Sequence, residues 1–142
     1  MEKLQIFSQL QSELESKGFQ FERTDFERPW GGFFVIDEAQ SEQFIKTFYP
    51  EEDIEQLTKG GVVSPKILVV APGKRLSWQY HHRRSEVWKL VAGEAGVIRS
   101  ETDEQTDVYT LEQNEKVILA QGERHRLVGL KAFGIIAEIW QH

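Results

Sequence analysis

Cysteine is absent from the 142 residues. That excludes disulfides, a thiolate nucleophile, iron–sulfur ligation and Cys-bound zinc, and leaves histidine, carboxylate and amide oxygen as ligands for any metal. Long apolar runs are missing too. The longest is Ile67 to Ala71, far short of the ~20 residues that a membrane-spanning helix needs. Met1 to Phe7 contains no basic segment leading into an apolar core, so no export signal is read and a soluble, cytoplasmic protein is expected. Positive charge is scarce: 17 Lys and Arg against 23 Asp and Glu give a net charge of −6. A polyphosphate backbone is disfavoured as a partner, and neither nucleic-acid nor membrane binding is expected. What is present is a 39% hydrophobic fraction with 9 Phe, 4 Trp and 3 Tyr, enough for one folded domain over residues 1–142.

Leu4, Phe7, Leu10 and Leu14 recur at helical spacing, and Lys17-Gly18 supplies a cation and a cap. This predicts an amphipathic helix over 2–17 within an N-terminal extension of 1–24. Phe19 to Glu22 alternates, Gly32 to Asp37 is aromatic and β-branched, and Glu42 to Tyr49 fits strand or helix. Pro50-Glu51-Glu52-Asp53 places proline and acids where a first helical turn favours them, and Lys59-Gly60-Gly61 closes that helix. From Pro65 onward the chain reads as short strands: Lys66–Ala71, Arg75–His81, Glu86–Ala92, Ala95–Ser100, Asp107–Leu111, Lys116–Ala120, His125–Val128 and Phe133–Trp140. Turn signals separate them at Pro72-Gly73, Gly93-Glu94, Glu112-Gln113-Asn114 and Gln121-Gly122. Many strands without βαβ alternation predict an all-β antiparallel sandwich or barrel.

Chemistry concentrates between Pro72 and Glu86. If that chain is extended, Arg75, Ser77, Gln79, His81 and Arg83 share one face, while Leu76, Trp78 and Tyr80 share the other. Taken alone, the polar set would face water. Glu86, however, shares parity with Trp88, Leu90 and Ala92, a set that should be buried, and a buried carboxylate needs a partner. His125 likewise shares parity with Leu127. Gln79, His81, Glu86 and His125 together would offer two imidazoles, a carboxylate and an amide oxygen, a set that suits zinc or another divalent first-row ion; a polar network without metal is the alternative.

These residues also carry a family resemblance. The spacing of Gly73, Gln79, His81, Glu86 and Gly93 resembles the first cupin motif, and Asn114, Ala120, Gly122 and His125 resemble the second. Arg28-Pro29-Trp30-Gly31, Pro72 to Ser77, Gln79 to His82, Arg84-Ser85-Glu86, Gly93-Glu94-Ala95 and His125-Arg126-Leu127 are similar to the cupin domain of type II mannose-6-phosphate isomerases, from about Arg28 to Trp140. The resemblance implies a jelly-roll barrel with metal held by Gln79, His81, Glu86 and His125. It makes residues 39–64 an insertion carrying a short helix. It departs from the family pattern at Arg83, Val87, Asn114 and Ala120. The nucleotidyltransferase domain fused to many members is not among these residues, so guanylyltransferase activity is not expected.

The resulting expectation is a metal-dependent aldose–ketose isomerase acting on a sugar phosphate, with one divalent ion, zinc first and manganese, iron or nickel as alternatives. The competing readings are a non-catalytic cupin that binds a sugar or sugar phosphate, and a metal-dependent oxygenase. Lys74, Arg75 and Arg126 are the candidate anion-binding residues, with Arg75 and Arg126 also given catalytic roles. Arg75 is the first choice for a cation in the barrel lumen because it shares the parity of the ligands, while Arg126 rests on the family pattern. Glu138, between Ile136 and Trp140, is a candidate general base, with an ion pair to arginine as its structural alternative. Trp30 reads as a core plug or as part of a functional loop. Outward-facing Leu76, Trp78 and Tyr80 would need cover from the N-terminal helix or a second subunit, so a homodimer is expected.

Overall fold

The computed structural model describes residues 2–59, 61–78, 85–120 and 122–141. Helix α1 (Lys3–Ser16) buries Phe7, Leu10 and Leu14, as the spacing requires, and ends at Gly18 with φ +90°. Strands β1 (Phe21–Arg28) and β2 (Gly31–Ile36) form a hairpin. A 3-10 turn (Glu38–Gln40), α2 (Ser41–Phe48) and α3 (Ile54–Thr58) lead into β3 (Val63–Val70). The remainder is β4 (Ser85–Ser100), β5 (Tyr109–Thr110), β6 (Lys116–Leu119) and β7 (Arg124–Gln141). One antiparallel sheet runs β1-β2-β3-β7-β4-β5, with β6 also paired to β4.

The central strands of the sheet are buried on both faces. One face presents Phe33, Val35, Leu68, Val70, Trp88, Leu90, Val97, Leu127 and Ile136 to a shared interior. The opposite face presents Phe34, Ile36, Ile67, Val69, Val87, Ala137 and Ile139 to α1 and α2. β2 is therefore buried at every position and shows no polar alternation. Among the described residues, no helix is long and apolar enough to cross a membrane.

Several expectations change. Glu42–Tyr49 falls in α2, so the segment 39–64 holds two α-helices, not one. The two strands expected on either side of Gly93 are one continuous strand, β4, which bends there. His125–Val128 and Phe133–Trp140 likewise fuse into β7. Positive φ at Gly93 (+75°) serves a strand bend with register shifts, not a reversal. Asp107–Leu111 contracts to the two residues of β5. Among the described residues of the Arg75–His81 segment, only an isolated bridge from Arg75 to Val128 forms. Leu76 is buried in the interior and Arg75 is exposed, against the expected facing, while Ser77, though exposed, lines the same cavity as Leu76. Leu76 consequently needs no cover from a second subunit.

Tyr49 fastens the helical segment to the back of the sheet. Its hydroxyl, wholly buried, donates to the Ala137 carbonyl at 2.6 Å and approaches that of Val87 at 3.3 Å. Ion pairs of Lys89 with Glu51 (2.9 Å) and of Lys116 with Glu52 continue the seam. Burial, then the charges of Glu138, Glu52 and Glu51, hold the Tyr49 hydroxyl well above the ordinary tyrosine range. In the unfolded chain the group ionises first, so its contribution is complete below the ordinary tyrosine pKa and is lost as pH rises above it. Tyr49→Phe should cost about 1–2 kcal/mol at neutral pH through the lost hydrogen bonds and flatten the alkaline limb of stability. Denaturant titrations at pH 7 and pH 11 check both; an unchanged pH 11 to pH 7 difference in the variant would contradict it.

Candidate functional site

Three neighbouring strands direct alternate residues into one cavity of about 190 Å3. β4 supplies Glu86 and Trp88, β7 supplies Glu138 and Trp140, and β3 supplies Lys66 and Leu68. The register places Glu86 opposite Trp140, Trp88 opposite Glu138, and Lys66 opposite Glu138. Directly opposed residues of an antiparallel pair share a face, so these side chains converge on the same wall. Glu86 and Glu138 are only 3% and 4% exposed.

His125, 1% exposed, reaches Glu86 from the far half of β7: Nε2 lies 3.4 Å from Glu86 Oε2. Trp88 sets its ring edge-on to the imidazole, with centroids 5.4 Å apart. On the other side of the ring, Nδ1 lies 3.2 Å from the Glu123 carbonyl. A carbonyl only accepts, so Nδ1 carries the hydrogen and Nε2 turns its remaining valence toward a carboxylate. Two ligands of one tetrahedral zinc, each bonded at about 2.1 Å, stand about 3.4 Å apart, so the observed separation fits a shared metal, and the Nδ1 contact is the usual outer support of a ligating imidazole. Of the expected ligand set, the structure brings together Glu86 and His125; Gln79 and His81 lie outside the described residues. No cluster of three or more His, Asp or Glu with metal-binding geometry occurs among the described residues.

Glu138, the candidate base, does line the cavity. The Trp88 indole Nε1 donates to its Oε2 at 2.9 Å. Trp30 lies at the mouth, half-buried and stacked on Phe33 with centroids 6.4 Å apart, so it serves as plug and as cavity wall together.

The expected anion-binding residues lie elsewhere. Lys74 and Arg75 are exposed on the loop after β3, and neither lines the cavity. The structure thus corrects the lumen position expected for Arg75. Arg126 has the opposite parity to His125 and bonds Gln105 Oε1 at 3.3 Å, also outside the cavity lining. Sequence reasoning missed Lys66 and Arg28, the cations that do line it. The signal for Lys66 was present: it shares parity with Leu68 and Val70, the interior face of β3.

Comparison with known proteins accords with this geometry. The family described as mannose-6-phosphate isomerase C-terminal matches residues 39–137, which takes in the helical segment between β2 and β3. The xanthan biosynthesis protein XanB of Xanthomonas campestris pv. campestris is 33% identical over 100 residues, covering 70% of this chain and 16% of that protein. The alginate biosynthesis protein AlgA of Pseudomonas putida is 29% identical over 89 residues, covering 63% of this chain and 17% of that protein. The chain thus spans about a sixth of the length of these relatives. Among solved structures, KdgF from Halomonas sp. superposes with a TM-score of 0.57 at 10% identity, over 84% of this chain and 86% of that one, a likeness of fold alone. With a family match over most of its length and a jelly-roll sheet, the chain belongs to the mannose-6-phosphate isomerase C-terminal family of sugar-phosphate isomerase-like cupin domains.

Proposed function

We propose that this domain is a divalent-metal-dependent isomerase that interconverts a phosphorylated aldose and its ketose. The observation that carries the reading is the buried Glu86–His125 pair at 3.4 Å, whose carboxylate shares one cavity with that of a second buried acid, Glu138. Glu86 and His125 would hold the metal, zinc first, with Gln79 and His81 completing its ligands. When bound, the metal supplies Lewis-acid stabilisation of negative charge developing on the two substrate oxygens at C1 and C2.

Glu138 is assigned the proton transfer. Its carboxylate, held by Trp88 at 2.9 Å, takes the proton from C2 of the aldose and returns it to C1, while the hydroxyl proton passes from O2 to O1. The sum is an isomerisation with no external oxidant or reductant. Trp88 and Trp140 form apolar walls that limit water at the reacting carbons. The names of XanB and AlgA place those relatives in polysaccharide biosynthesis, which supports a sugar substrate.

The test is incubation of the metal-loaded protein with mannose 6-phosphate in deuterium oxide, followed by NMR. Ketose formation with deuterium entering from solvent, lost on chelation and restored by metal, is expected. A ligand-induced rise in melting temperature without exchange or turnover would instead establish a non-catalytic binding domain.

A further inference from the structure

An indole differs from a phenyl ring in one polar atom, and once buried that N–H needs a partner. Trp88 is 1% exposed, and its Nε1 donates to Glu138 Oε2 at 2.9 Å. The sheet sets the partner: Trp88 lies directly opposite Glu138 in the β4–β7 register, and opposite Val117 of β6 on its other side. The same ring meets His125 edge-on, with 5.4 Å between centroids and 89° between planes. That second contact crosses the interior, because His125 is paired to Arg99 in the far half of β4, beyond the bend at Gly93. Glu138 and His125 thus belong to two halves of β7 whose pairing with β4 is interrupted by a register shift, and one side chain touches both.

We infer that Trp88 is a positioning residue that fixes the Glu138 carboxylate relative to the His125 imidazole. The inference rests on the isomerase reading, in which Glu138 moves the proton and His125 would hold the metal, and adds what keeps the two in place. Proton transfer at carbon depends on placement: a displacement of about 1 Å can cost about a hundredfold in rate. A glutamate side chain is long and flexible, and a hydrogen bond to one carboxylate oxygen fixes how its plane lies. For the imidazole, the Glu123 carbonyl sets one side of the ring, and the Trp88 edge limits its rotation on another. The two functions are separable, since the donor atom serves Glu138 and the ring serves His125.

The experiment uses the full chain with zinc as the metal and compares the wild type with Trp88→Phe, Trp88→Leu and Glu138→Gln. Trp88→Phe removes the donor and keeps an aromatic edge. Its kcat on mannose 6-phosphate should fall about ten- to a hundredfold, with KM and zinc affinity changed less than about threefold. Trp88→Leu removes both contacts and should also weaken zinc binding about three- to tenfold. A side chain that only filled space would lower the melting temperature without this split. The bond itself is read without turnover by heteronuclear NMR: the Trp88 indole N–H resonance, assigned by its loss in Trp88→Phe, should move upfield in Glu138→Gln. That resonance and Trp88→Phe decide the case even where Trp88→Leu is too unstable to titrate. A wild-type kcat in Trp88→Phe, a zinc affinity that falls as far in Trp88→Phe as in Trp88→Leu, or an indole resonance unmoved by Glu138→Gln would overturn the inference. A wild type that binds zinc without turnover would overturn the isomerase reading, and the indole shift and the zinc split would still decide whether Trp88 positions the two groups.

Discussion

His125→Ala should abolish the stabilisation of this protein by divalent metal. The imidazole would supply a first-row metal with a nitrogen ligand whose orientation is already set by the Glu123 carbonyl at 3.2 Å, and its Nε2 faces Glu86 at 3.4 Å. Loss of an outer support alone costs ten- to a hundredfold in metal affinity, so loss of the ligand itself should exceed about a hundredfold. In the wild type, metal at about a hundred times its Kd would add about 2.7 kcal/mol to unfolding stability, and the variant should gain almost none of it. Glu86→Gln keeps the volume and removes the charge, so it should weaken metal binding without the cavity that alanine leaves. Melting curves of both variants, metal-free and metal-loaded, read the effect against each variant's own baseline. A metal-dependent rise in His125→Ala equal to that of the wild type would contradict the assignment.

Gly93→Ala carries the largest expected effect on stability. A Cβ there would lie 1.8 Å from the Phe133 carbonyl oxygen, 3.0 Å from its carbon and 3.3 Å from Gly134 Cα. All three are backbone atoms of the neighbouring strand, so no side chain can swing aside. Positive φ adds about 1–2 kcal/mol of strain for any residue with a Cβ. Opening the β4–β7 ladder to relieve the clash should bring the total to about 3 kcal/mol or more, a fall in Tm of roughly 6–12 °C. Gly73→Ala is the control: φ is +70°, but no atom lies within 4 Å of the added carbon, so strain alone applies and about 1–2 kcal/mol is expected. Equal losses at the two positions would show that the strands move apart without cost.

The same glycine explains one limit on what the sequence shows. Gly93-Glu94 carries the chemistry of a turn, yet β4 continues through it with only a bend. A left-handed residue can reverse a chain or kink it, and which it does depends on the partner strand, which lies about forty residues away in the chain. Local patterns were enough where burial alone decides. α1 follows from Phe7, Leu10 and Leu14, although Leu4, expected on the same face, is 74% exposed, and the inward set Glu86, Trp88 and Leu90 follows from period-two spacing. The reading failed at Arg75 because alternation presumes an extended strand, and the chain there makes a single bridge with Leu76 turned inward. Local spacing does not decide between strand and helix at Tyr49, whose role depends on the Ala137 and Val87 carbonyls, contacts no local window contains. Glu86 and His125 were legible as a pair because polar residues on apolar faces demand partners. Lys66 precedes the apolar run Ile67–Ala71 and shares the parity of Leu68 and Val70, and its long stem lets the charged end reach the cavity from a buried face.

The central claim is that Glu86 and His125 are joined by a metal ion. Anomalous scattering from crystals of the zinc- or manganese-loaded protein, collected at the metal's absorption edge, tests it directly. A single dominant peak within bonding distance of Glu86 Oε2 and His125 Nε2 is expected. Strong anomalous density elsewhere, with a plain carboxylate–imidazole hydrogen bond at this position, would contradict it.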